Sequence, residues 1–221
     1  MKQPVTQSLY AYWDAQRRGR CAPNRHELDP AEMRGFLPHT FMLEVNDRPG
    51  TFPIRISGTR LDALMGRDLK GQAFPELWAD GCRGEVLGIL ADVVEEARPV
   101  VAAVHGAPDG YATTSLEMLV LPLRHHGRTH ARLLCSLVPV KTPAWLGLRP
   151  VSQFTLSGWR SVDPRLEPAS ARNSAGGLRR EHLVVYQGGR TGEVASVPTP
   201  QVGVKAPVPR WPDMLLTTRR S

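Results

Sequence analysis

Glu117 is an acidic residue inside an otherwise apolar run, Leu116 to Leu123. Strand alternation puts Leu119, Leu121 and Leu123 on its face, so the carboxylate is expected to point at a core or a pocket. A buried carboxylate requires a cation or a hydrogen-bond donor, and Arg55 and Arg60 are the expected partners. Two readings follow: an internal ion pair locking strand to helix, or a group that orients a bound molecule. No second acid, nucleophile or metal cluster accompanies Glu117, so neither a catalytic base nor an enzyme is read from it. Trp78, with Phe74 and Leu77, is expected to lie against the sheet face. The sequence thus places a binding cleft among Arg55, Arg60, Trp78 and Glu117.

Other reactive residues carry less. His125, His126 and His130 invite a metal, but Gly127 breaks the segment, and Arg124, Arg128 and Arg132 would repel a cation. A solvated basic hairpin is expected there, and lone His39 and His105 are read as structural rather than as haem ligands. Cys135 alternates with Leu133 and Leu137, which suits a small buried hydrophobe. Cys82 begins a helix, where the dipole lowers a thiol pKa, yet no redox partner stands near it in sequence. Gly188-Gly189-Arg190-Thr191-Gly192 lacks the Gly-Lys-Ser/Thr ending of a phosphate loop. No cofactor is indicated.

The chain has 221 residues, with 28 Lys and Arg against 21 Asp and Glu. Its apolar runs are too short to span a bilayer, and the first residues lack the apolar core of a secretory signal. Cys21, Cys82 and Cys135 lie too far apart in sequence for a metal knuckle, so free thiols in a cytoplasmic setting are expected. Charge is uneven. Residues 1–142 hold 17 basic and 16 acidic side chains, whereas 143–221 hold 11 and 5, together with 9 of the 20 prolines. These shifts place a boundary near Thr142-Pro143, with a basic, Pro/Gly-rich and mostly disordered tail beyond it. A chain ending at Thr142 is then expected to fold alone. Arg179-Arg180 and Arg219-Arg220 are pairs rather than a dense patch, so a nucleic-acid regulator using the tail is the second reading, not the first.

The elements that would position these residues follow from periodicity. Val5, Leu9, Tyr12 and Trp13 predict a helix to about Arg18, and Asp29-Pro30-Ala31-Glu32 predicts a short one to Gly35. Phe41, Leu43 and Val45 predict a strand, and Phe52, Ile54 and Ile56 a second with those three on one face. Helical spacing returns at Thr59 and from Cys82 to Arg98, followed by strands at 100–105, 113–123 and 129–140. This order predicts an α+β domain with one antiparallel five-stranded sheet flanked by helices. The leading helix is amphipathic, and Tyr12 with Trp13 suits the core of a homodimer interface.

Tyr12-Trp13, Pro23-Asn24-Arg25, Leu28-Asp29-Pro30-Ala31-Glu32 and Leu37-Pro38 resemble the start of a family of short bacterial PAS-like proteins. Phe52 to Leu61, Gly66 to Gly71, Leu77-Trp78 and Glu117 to Leu123 resemble its later segments, so the resemblance spans about residues 8–142. It implies a PAS fold and a sensory or regulatory module. Such a module binds a small molecule or a signalling protein and passes its output through a partner. The sequence has no photoactive flavin motif of the Asn-Cys-Arg type, and its tail carries no kinase, cyclase or phosphodiesterase signature.

Overall fold

A computed structural model of the chain describes residues 1–46, 50–125 and 128–162, and only the backbone of 128–130. Helix α1 (Pro4–Arg17) starts with proline in its first turn, where a missing N–H costs nothing, and ends at Arg18 in the left-handed conformation. The capping signal at Asp29 is real, since its Oδ1 accepts from the Ala31 amide at 2.8 Å. The expected helix there is nonetheless a run of turns over residues 30–36. Gly35 and Pro38 leave too few residues to repay the cost of a helical nucleus.

Strands β1 (Thr40–Glu44) and β2 (Ile54–Ser57) pair antiparallel. Helix α2 (Thr59–Met65) and a single helical turn at Phe74–Leu77 lead into α3 (Asp80–Glu96). Strands β3 (Val100–Ala107), β4 (Thr114–His125) and β5 (Arg128–Pro139) complete the expected set. A sixth strand, β6 (Gln153–Ser161), pairs with β3, giving the order β2-β1-β5-β4-β3-β6. The α+β architecture is as expected, but the sheet has six strands rather than five.

Strand β6 also moves the expected boundary. Trp145, Val151 and Phe154 are buried in the core, and Ala79 N–H donates to the Phe154 carbonyl at 2.9 Å. Gly106 on β3 lets the Phe154 ring lie close, for a Cβ there would stand 3.0 Å from it. A division at Thr142-Pro143 therefore cuts through the sheet. The alternation Phe154, Leu156 was present in the sequence, but the surrounding prolines and glycines outweighed it. The disorder expected of the remaining tail concerns residues outside those described.

Two apolar layers cover the sheet. On the inner face, Leu116, Met118 and Val120 of β4 pack with Phe41, Ile54, Leu90 and Val93 beneath α2 and α3. On the outer face, Leu119, Leu121 and Leu123 pack with Leu9 and Trp13 of α1. Trp13 is fully buried, and its Nε1–H donates to the Pro122 carbonyl at 2.9 Å. It is spent within its own chain and offers no surface to a second copy, contrary to the interface expected from its sequence.

Because β6 closes the core, Phe154→Ala is expected to lower stability by about 3–5 kcal/mol in urea unfolding. A chain ending at Thr142 is expected to lose its cooperative transition, whereas one ending at Val162 keeps it.

Candidate functional site

The four side chains expected to share one cleft are separated. Glu117 lies on the outer face at 9% exposure, where its two carboxylate oxygens accept from the Lys2 and Gln3 amides at 2.7 and 3.0 Å. Those amides immediately precede α1, so Glu117 satisfies donors and the positive end of that helix at once. Neither arginine pairs with it. Arg55 is exposed at the sheet edge, with Glu44 4.0 Å away. Trp78 lies on the inner face between Phe74 and Phe154, at centroid distances of 5.8 and 5.9 Å. Phe41 stacks on Phe74 in turn, so the space between sheet and helices is filled by aromatic rings where a ligand was expected. The buried Trp78 Nε1–H has no acceptor in this row. Arg60 lines a different cavity altogether, with His39 and Gln3.

The cysteines behave as read where they are described. Cys135 belongs to the inner core, and burial pushes its thiol well above its usual pKa. Cys82 is half-buried, and its Sγ accepts from the Leu156 amide at 3.5 Å, which ties α3 to β6. Among the described residues no three His, Cys, Asp or Glu side chains gather as a metal would require.

An apolar groove opens instead on the outer face, at the β1–β2 edge. It holds about 330 Å³ and is lined chiefly by Leu28, Met33, Met42, Ile56 and Leu134, with Arg25 on its wall. A β-bulge creates it. Leu43 pairs with Ile54 and Met42 with Ile56, so the inserted Arg55 turns Ile56 to the opposite face from Ile54. Strict alternation had placed both on one face. Ile54 is buried in the inner core, whereas Ile56 is 49% exposed in the groove.

The groove wall is held by polar contacts that the sequence did not single out. Glu27 accepts from Arg20 at 2.7 Å and from the Asn24 amide at 2.6 Å. The Arg20 hydrogen bond in particular holds the Glu27 carboxyl down to about 2. The Asp29 amide donates to Tyr12 Oη at 2.8 Å, and Tyr12 packs against Phe36 at 5.8 Å. Burial raises the Tyr12 phenol above its usual range, so it stays a neutral partner throughout physiological pH. At the far wall Gly58 is obligatory, since a Cβ there would lie 2.5 to 2.6 Å from the carbonyls of Leu37, Pro38 and Thr40. The result is an apolar slot with one cation on its wall, suited to an apolar body carrying an acidic head.

The family model described as PAS domain matches residues 1–138. The chain belongs to the PAS domain family. Its sensory and regulatory character is that of the family in general, and β6 lies beyond the matched residues. Among solved structures, that of an RsLOV variant is similar at 11% identity over 65% of this chain and 72% of that one. The TM-score is 0.39, and nothing here is argued from it. No curated protein matches the chain.

Two outcomes follow from this geometry. Glu117→Gln keeps one acceptor and loses the charge at the start of α1. It is expected to cost about 1–2 kcal/mol of stability, read by urea unfolding, and to leave binding in the groove unchanged. Glu27 has a depressed folded pKa, so its stabilisation is complete above its ordinary value of 4.5 and fades as pH falls towards about 2. Melting curves between pH 6 and pH 2 are expected to fall less steeply in Glu27→Gln over that window.

Proposed function

We propose that this PAS module is a sensor for a small molecule with an apolar body and an acidic head group, bound in the outer groove, and that it signals through a protein partner. The observation that carries this reading is the combination of an apolar groove of about 330 Å³ with Arg25 on its wall. That volume lies in the range of small-molecule sites, which pair a mostly apolar lining with a few polar groups that fix orientation. Leu28, Met33 and Ile56 would take the apolar body, and the Arg25 guanidinium the carboxylate.

A route for the response is also supported. The groove wall reaches α1 through Tyr12 and through Gln16, whose side-chain amide lies 3.4 Å from Glu32. A ligand that tightened this wall would stabilise the seat of α1 on the sheet. The partner would read α1 and the adjoining turns, in keeping with a regulatory rather than catalytic role.

A thermal-shift series with octanoate and decanoate tests the proposal. Ligand at one hundred times its Kd is expected to stabilise the protein by about 2.7 kcal/mol. Ile56→Asp places a like charge beside the ligand carboxylate and is expected to abolish the shift, while Arg25→Gln reduces it. Equal shifts in all three proteins, or none in the parent, would sink the reading.

A further inference from the structure

We propose that a second cavity, between α2, the residues before β1 and the end of β5, binds a small organic carboxylate through Arg60 and His39. It holds about 280 Å³, and its lining includes Gln3, His39, Arg60, Leu64, Val138 and Leu146. This inference does not rest on the groove.

Two unmet needs converge there. Arg17, Arg20, Arg55, Arg83, Arg98 and Arg132 each have a carboxylate within 4.0 Å. Among the described residues no carboxylate reaches Arg60. Beside it, His39 Nδ1 is buried without a hydrogen-bond partner. An unsatisfied buried polar atom is costly, and a guanidinium fork matches a planar carboxylate with two parallel N–H groups. One bound carboxylate meets both needs. Leu64, Val138 and Leu146 supply apolar walls that suit a short hydrocarbon chain and give nothing to the remaining oxygens of a phosphate.

The site is expected to be linked to proton uptake. Burial, and then the charge of Arg60, hold His39 below its usual pKa. Arg60 from α2 is the charged residue that lines the cavity with His39. The start of α1 contributes Gln3, and the β5 end and the following segment contribute uncharged side chains. Nearby, Glu117 is already engaged by the Lys2 and Gln3 amides. An anion between Arg60 and His39 offsets the Arg60 charge and favours imidazolium, so binding strengthens as pH falls through the His39 titration. Thr142 and Leu146, from the segment joining β5 to β6, share the lining, so occupancy ties that connection to α2.

The test is an NMR shift titration of the full chain with butyrate and, separately, inorganic phosphate, at pH 6 and pH 8. Butyrate is expected to shift resonances of His39 and Arg60 and to bind more tightly at pH 6. Arg60→Gln changes an exposed side chain and is expected to weaken butyrate by at least about tenfold. His39→Gln removes the pH dependence, and Arg25→Gln leaves binding intact, which separates this site from the groove. Absence of butyrate shifts at both pH values would overturn the proposal, as would unchanged affinity in Arg60→Gln. Binding of phosphate in place of butyrate would overturn the carboxylate class.

Discussion

Burial of both faces of β4 sets the terms on which the other elements are placed. Met118 and Val120 face one way, Leu119 and Leu121 the other, and all four are fully buried. A strand apolar on both sides needs cover on both sides. The inner cover comes from α2, α3 and the aromatic row of Phe41, Phe74, Trp78 and Phe154. The outer cover comes from α1 and the turns that follow it. At roughly 25 cal/mol per Å² of apolar surface removed from water, neither layer is dispensable.

Glu117 belongs to this constraint rather than standing against it. Placed on the outer face near the sheet margin, its carboxylate ends β4's apolar stripe where α1 begins. The two amides it accepts are donors that no residue within the helix can satisfy. A polar group in an apolar strand is thus part of how α1 is fixed in register over the sheet, with the Trp13–Pro122 hydrogen bond marking the same seat further along.

Cover on the outer face stops short of the β1–β2 edge, and that shortfall makes the groove. The turns from Pro23 to Pro38 approach β1 and leave Ile56 open beyond it. On the inner side β6 does the opposite, filling the margin beside β3 with Phe154 and latching α3 through the Ala79 and Cys82 contacts. The sheet is therefore closed at one edge and slotted at the other, and the two cavities flank consecutive residues, His39 with Thr40 and Thr59 with Arg60.

Periodicity by itself determined α1, α3, β1 and the three long strands, because each buries a regular stripe that its own sequence repeats. The PAS resemblance rested on the same residues. Tertiary structure alone decided which face each polar residue serves. Strand alternation puts Glu117 opposite Met118, but it carries no information on which side holds α1 and which holds Trp78. A one-residue bulge at Arg55 reversed Ile56, an event invisible to a count of two. Strand β6 was legible as alternation at Phe154 and Leu156, yet its worth comes from an edge of β3 more than 40 residues away, and composition averaged over the tail cannot register that contact. Binding residues Arg25, His39 and Arg60 carry no periodic signal, since their significance lies in the partners that surround them or fail to.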